Sequence, residues 1–307
     1  MGLDPIGFEL LCTGDGNALL EAIRERSYPR AYALLRRAGP LGKREAGECL
    51  AAALACTDKL FGRLLAVCPW TETAAEPELP LPGREGRSAE VYGTMATLAA
   101  AAGEAGKLRL LLERGCDPSG ASFGAYEAVQ YGSLNQVGFY GSRRRNSDRS
   151  WSEGDGCAVS FVCWSSEEER TLPFLTPLAA AVLFGRADCA RLLLSCPGLP
   201  RTGEALGSAA LLSARGTSEQ RACVRLVFGL PPDAEDPAEA LCAGGLIPAA
   251  SVLRFGSLKE LRRRLKSPDQ TEEALLEAAG ADRALADVIC ARIRAYLDKT
   301  KQEKEEA

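Results

Sequence analysis

The sequence predicts an all-α protein built from stacked helix pairs, and two observations lead to this prediction. Residues 94–115 read TMATLAAAAGEAGKLRLLLERG and residues 176–198 read TPLAAAVLFGRADCARLLLSCPG, so each stretch has Thr, a small-residue run, a Gly and then Leu-Leu-Leu at matching positions. Alanine and leucine dominate the chain and aromatic residues make up 6% of it, which favours short, closely packed helices. Such a repeat buries its apolar face against neighbouring copies and forms a solenoid.

The residues of these two units explain how each helix begins and ends. Thr176 is a suitable N-cap, and Pro177 fits the first helical turn, where a missing N–H costs nothing. Gly103 and Gly185 are expected to end the first helix of each pair in a tight turn. Leucines at three- and four-residue spacing then form one apolar stripe on the second helix.

Weaker copies of the unit surround these two. They place further turns between paired helices near residues 26, 56, 132, 216 and 256. The predicted organisation is 1–70 capping and degenerate repeats, 71–90 a Pro/Glu-rich linker or extended finger, 91–137 repeats, 138–175 an insertion, 176–266 repeats, 267–299 a C-terminal capping helix pair and 300–307 a charged tail.

The two clear units resemble the ankyrin repeat, whose pattern is TPLHLAAxxGHLEVVRLLLxxGADPN. The match includes the Thr-Pro-Leu opening at residues 176–178 and Gly-Cys-Asp-Pro at residues 115–118. Thr97 and Ala179 stand where the family has a His that ties neighbouring repeats by hydrogen bonds. The resemblance implies an ankyrin-like helical repeat solenoid with short fingers and a concave face that binds another protein. A solenoid of longer helices is the alternative, which the short Ala/Leu helices and the Thr-Pro start disfavour.

Composition argues against most enzyme classes. The chain has no histidine, which removes the commonest general base, the Ser–His and Cys–His pairings and every His-containing metal site. No two of its twelve cysteines form a Cys-x-x-Cys pair, so a zinc ribbon is not supported. We therefore expect no catalytic residue, no cofactor and no metal.

Cysteine placement and charge predict where the protein acts. Most cysteines lie in apolar helical runs and are expected to be buried, reduced thiols, which implies a reducing compartment: Cys49, Cys56, Cys68, Cys189, Cys223 and Cys290. The net charge of −4 gives no general attraction to nucleic acid or to an anionic membrane. Since the N-terminal stretch lacks signal-peptide features and no apolar run reaches the length of a membrane span, we expect a cytoplasmic monomer.

The insertion carries the candidate binding residues. Residues 157–164, CAVSFVCW, are β-branched and aromatic, which predicts a strand in a hairpin-like excursion. Aromatic and arginine residues of the kind enriched in binding hot spots are Tyr140, Arg143, Arg144, Arg145, Arg149, Trp151 and Trp164. Alternatively, the aromatics close a small core beneath the loop and the arginines are solvated.

The sequence favours a protein–protein interaction module as the function, in which the concave face or the 138–173 insertion holds the partner. One alternative is an effector or hydrolase-type enzyme that uses insertion carboxylates such as Asp155 or Glu168. A second alternative is a structural spacer with no specialised surface.

Overall fold

The structure is a computed structural model that is predominantly helical. It describes residues 15–71, 73–75, 77–80, 82–83, 88–120, 161–164, 170–173, 175–232, 234–248 and 251–252. The predicted turns near residues 132 and 256, the 267–299 helix pair and the 300–307 tail lie outside these ranges.

Short helices follow one another in pairs along the described chain. They are α1 (Asp15–Arg24), α2 (Tyr28–Leu35), α3 (Lys43–Ala53), α4 (Asp58–Val67), α5 (Met95–Ala102), α6 (Ala105–Glu113), α7 (Pro177–Leu183), α8 (Ala187–Leu194), α9 (Glu204–Ala214), α10 (Ser218–Phe228) and α11 (Pro237–Ala243). The first helices of successive pairs contact one another from α1 to α3, α5, α7, α9 and α11, and the second helices do so from α2 to α4, α6, α8 and α10. The buried apolar side chains form one continuous cluster through these layers.

Threonine caps recur at the helix starts, as the sequence predicted for Thr176. The threonine side-chain oxygens at four N-caps accept hydrogen bonds from the amide three residues on: Thr57, Thr94, Thr176 and Thr217. Each bond satisfies one of the amide donors that a helix leaves unpaired at its start, and Pro177 fits the first turn of α7 because it has no such donor.

All five predicted turn positions in the described ranges lie between the two helices of a pair. Gly103 and Gly185 adopt the left-handed region, with φ of 85° and 68°. Arg26 does so as well, with φ of 54°. Cys56 and Gly216 close their turns without a positive φ.

The two clear sequence units are direct neighbours in space, although about 60 residues separate them in the chain. Helix α5 packs on α7 and α6 packs on α8, so the two units are in direct contact. The sequence predicted a further repeat in this interval, with its turn at Gly132. Gly132 and the residues around it lie outside the described ranges.

Five strands in the described ranges join the two segments that the sequence analysis treated separately. They are β1 (Ala74–Ala75), β2 (Glu78–Pro80), β3 (Ser88–Thr94), β4 (Phe161–Trp164) and β5 (Arg170–Pro173). Strand β3 pairs antiparallel with β1, β2 and β4, and β4 pairs antiparallel with β5. Residues 71–90 therefore contribute strands to a finger, and the insertion forms the expected hairpin beside it.

Strand β1 lies directly against helix α3. A Cβ at Gly47 would collide with the carbonyl oxygen of Ala74, so only glycine allows this approach. Strand β1 pairs with the end of β3, where Thr94 is both the last strand residue and the N-cap of α5. The finger is thereby held between the second and third helix pairs.

Polar contacts tie neighbouring pairs together. The buried Thr97 hydroxyl donates to the carbonyl oxygen of Leu175 at 3.4 Å. Arg186 donates to the carbonyl oxygen of Ala101 at 3.1 Å. The Lys107 side chain is 2% exposed, and its ammonium lies 3.4 Å from Asp58 of α4. None of the described helices combines the length and the apolar character needed to cross a membrane.

Candidate binding surface

The first helices in the middle of the chain offer little free surface. Every residue from Met95 to Ala101 in α5 is buried, and so is every residue of α7. In α9, the residues from Ala205 to Leu211 are buried as well. A helix that is buried all round, as α5 and α7 are, presents no side chain to a partner. The concave binding face expected from the sequence therefore has little accessible side-chain surface on α5 and α7.

Helix α3 differs from α5 and α7 because one side of it is accessible, with Arg44 exposed and Glu48, Ala51 and Ala52 partly exposed. A cavity of about 360 Å³ lies beside it, between the end of α1 and the finger. Its lining is mostly small and apolar and consists of Ile23, Arg24, Arg26, Glu48, Ala51, Ala52, Ala55, Cys56, Ala75 and Pro77. We call this cavity the α3 groove.

The lining of the α3 groove contains two arginines and one carboxylate. Arg24 and Arg26 are exposed, and among the described residues neither guanidinium takes part in an ion pair or a hydrogen bond. Glu48, the carboxylate in the lining, is paired with Arg44 of the same helix at 2.9 Å. The lining of the groove therefore contains two arginines that form no ion pair with a described residue.

Two more carboxylates near this rim are also paired. Arg30 of α2 contacts Glu25 at 3.2 Å and Glu21 at 3.9 Å. These are exposed ion pairs whose contribution to stability is small, but they place counter-charge on the acidic side chains nearest in sequence to the two rim arginines.

Cys56 lies in the lining of the groove and is half-buried, not buried as the sequence predicted. Its half-buried sulfur lies 3.9 Å from the carbonyl oxygens of Ile23 and Ala52. The other cysteines of the helical runs are buried, as the sequence predicted for Cys49, Cys68, Cys189 and Cys223. Burial raises the pKa of the thiols of Cys49 and Cys223 to about 12 and that of Cys189 to about 11, which keeps them protonated at neutral pH.

The free edges of the finger sheet are poorly suited to pairing with another strand. The outer strands β2 and β5 are three and four residues long, and each ends in a proline, Pro80 and Pro173. Proline has no amide proton to donate to a ladder, and Arg170 adds a charge to β5. The sheet therefore shapes the groove rather than offering an edge of its own.

Most of the predicted binding residues lie outside the described ranges. These are Tyr140, Arg143, Arg144, Arg145, Arg149 and Trp151, and the alternative catalytic carboxylates Asp155 and Glu168 lie outside them too. Trp164 is the last residue of β4, where it pairs with Arg170. Cys290 also lies outside the described ranges.

The α3 groove was not predicted from the sequence. One signal was available, because Arg26 occupies the turn position that Gly103 and Gly185 occupy in the clearest repeats. The groove itself depends on β1 and Pro77 reaching α3, a contact between segments whose spacing carries no repeat pattern.

Neither metal-ligating residues among the described ranges nor similarity to known proteins indicates another kind of site. In the part of the chain that the structure describes, no three His, Cys, Asp or Glu residues are grouped so that they could hold a metal ion. No protein-family model matches the sequence, and no curated protein is significantly similar to it.

Proposed function

We propose that this chain is an ankyrin-like helical repeat protein and acts as a non-catalytic interaction module that holds another protein. The observation that supports this best is the packing of equivalent helices, in which each first helix contacts the next first helix and each second helix the next second helix. Repeat stacks of this kind form extended binding surfaces because their units contact one another in sequence. Because a fold is shared by proteins of different function, the proposal also depends on the accessible surface of this chain.

Local contacts fit the ankyrin resemblance where the sequence departs from the family pattern. Thr97 stands at the position of the family's His, and its hydroxyl bonds to Leu175 at the start of the next pair. This is the kind of tie between neighbouring repeats that the His supplies in the family. Thr94 adds a second hydroxyl 3.0 Å from that of Thr97, and both side chains are fully buried.

Two regions are the candidates for the partner surface. The first is the α3 groove, because the side chains of α5 and α7 are buried and cannot contact a partner. The second is the 138–173 insertion with its aromatic and arginine residues, since protrusions from a rigid stack commonly carry function. The buried thiols support a reducing compartment, and we place the protein in the cytoplasm as a monomer.

Affinity capture from a lysate of the native source tests the proposal. The bait is the intact chain, and a second bait has residues 142–158 replaced by a Gly/Ser linker of equal length. This replacement stops short of β4, so the pairing of β3, β4 and β5 is kept. A third bait carries the same residues 142–158 in scrambled order, which preserves their charge. Circular dichroism and thermal melts compare the folding of the three chains.

A protein enriched by the intact chain over an unrelated repeat protein is the expected result. Its loss from both altered baits assigns binding to the insertion, whereas its retention by both assigns binding to the stack. If no protein is enriched although the bait is folded, the interaction function is contradicted.

A further inference from the structure

We propose that the α3 groove docks an extended acidic segment of a partner protein, whose carboxylates are bound by Arg24 and Arg26. This inference rests on the proposed interaction function and names the chemistry of the partner. The groove provides a cavity of about 360 Å³, which is within the range of specific binding pockets. That volume suits a few side chains of an extended peptide.

The lining of the groove favours small apolar contacts beneath a charged rim. Ala51, Ala52 and Ala75 are partly accessible, and Ala55 is exposed in the turn after α3. Alanine walls leave room for the backbone and short side chains of a ligand to approach closely. A segment that alternates acidic and small apolar residues would place one set on the rim and the other set in the groove.

The two arginines of the groove favour a partner segment with acidic side chains. Arg24 and Arg26 remain without a carboxylate partner among the described residues, whereas Glu48 is already paired with Arg44. A guanidinium group presents a planar fork of donors that matches a carboxylate, and such charge-assisted bonds are stronger than neutral ones. The rim therefore attracts carboxylates and repels basic segments.

The backbone of Arg26 gives an independent reason for its role. Its φ of 54° lies in the left-handed region, which disfavours any residue with a Cβ. The equivalent turns carry Gly103 and Gly185, which adopt the region without that cost. Nothing in the described structure binds the Arg26 guanidinium and offsets the strain. Strain of this kind is concentrated at functional sites, and a bound carboxylate would account for it here.

The test uses the full chain and a random dodecapeptide phage library, followed by fluorescence anisotropy of fluorescein-labelled peptides recovered from it. The groove variants are Arg24→Ala, Arg26→Gly and Ala55→Leu. Matched controls are Arg37→Ala, which removes an exposed arginine outside the groove, and Ala66→Leu, which enlarges an exposed alanine of α4. Thermal melts of every variant separate loss of binding from loss of folding.

We expect the recovered peptides to be enriched in Asp and Glu. Each arginine substitution should weaken their binding by about tenfold, the effect of one lost charge-assisted bond. Ala55→Leu should weaken binding as well, whereas Arg37→Ala and Ala66→Leu should leave it within about twofold. Raising the salt concentration should weaken binding to the intact chain, because exposed charges are screened.

Three results would overturn the proposal. The first is recovery of no binding peptide, or of peptides whose affinity is unchanged by Arg24→Ala and Arg26→Gly. The second is binding that arises only after residues 1–14 are removed, which would assign the groove to the chain's own N-terminal segment. The third is a homodimer that dissociates on Arg26→Gly, which would assign it to a second copy. If the lysate capture still enriches a partner in any of these cases, the groove assignment fails while the interaction function stands.

Discussion

At the scale of single residues, Arg26 shows how one side chain can oppose stability. Among the described residues it is the only non-glycine residue with a positive φ. The left-handed region costs a residue with a Cβ about 1–2 kcal/mol, and part of this is regained relative to glycine because glycine loses more entropy on folding. Glycine would therefore be the less strained residue at position 26.

The first prediction is that Arg26→Gly leaves the free energy of unfolding unchanged or raises it by up to about 1 kcal/mol, because it relieves the strained turn. Urea denaturation of the parent and the variant measures this difference. Arg37→Ala serves as the control for loss of an exposed arginine. A decrease of more than about 1 kcal/mol on Arg26→Gly would show that the side chain stabilises the fold, and would remove the argument from strain.

Buried thiols lead to a second prediction, which concerns pH. Burial raises the pKa of Cys49 and Cys223 from 9.0 to about 12, so the folded thiols keep their protons at pH values where the unfolded thiols lose theirs. Their contribution to stability is complete below pH 9 and is lost as pH rises from 9 towards 12. We expect a loss of about 1 kcal/mol or more per thiol at pH 10.5.

The comparison that isolates these thiols is between the parent and a Cys49→Ala, Cys223→Ala double variant. Lysine and tyrosine residues titrate equally in both chains, so the difference reports the cysteines. Urea midpoints at pH 8 and pH 10.5 should fall further in the parent than in the double variant. Equal falls would mean that the two thiols are accessible to water in the folded protein.

At the scale of elements, the contact of β1 with α3 distinguishes two helical glycines by the space around them. Gly47 lies in α3 and Gly62 in α4, both inside helices. A Cβ at Gly47 would collide with the backbone of β1, whereas the nearest atom to a Cβ at Gly62 is Leu110 Cδ1 at 3.8 Å.

The third prediction is that alanine substitutions at these two glycines change the free energy of unfolding in opposite directions. Gly47→Ala should lower the free energy of unfolding by about 1–3 kcal/mol, because the strand must move away from α3. Gly62→Ala should raise it by about 0.5–1 kcal/mol, because alanine is the better helix former and fits the space. Chemical denaturation of both variants measures the two effects. A stabilising Gly47→Ala would show that β1 does not lie against α3.

The helices and the strands of this protein differed in how far the sequence predicted them. Thr176, Pro177 and Gly185 act within a few residues of their own positions, so the boundaries of α7 and the turn after it were predictable. Strand β3 was not predicted, because its pairing with β4 joins segments about 70 residues apart in the chain. The α3 groove was missed because it depends on the contact of β1 with α3, two segments that share no repeat pattern.

At the scale of the whole molecule, the stack should be most stable in its middle. Helices α5 and α7 are buried all round, whereas α2 buries only Ala31 and Leu35. In a stack whose units contact their neighbours, local opening is easiest where the fewest contacts are lost.

The fourth prediction follows for amide hydrogen exchange followed by mass spectrometry. Peptides from α5 and α7 should exchange slowest, and peptides from α2 should exchange faster. Uniform protection across α2, α5 and α7 would indicate one cooperative core instead of a graded stack.

Binding of another protein by this stack is tested most directly by isothermal titration of the captured partner onto three chains. These are the intact protein, the variant with residues 142–158 replaced, and the Arg24→Ala, Arg26→Gly variant. We predict saturable binding to the intact chain and a loss of affinity of about tenfold or more in at least one variant that remains folded. Absence of saturable binding to the intact chain, or equal affinity for all three, would contradict recognition through these surfaces.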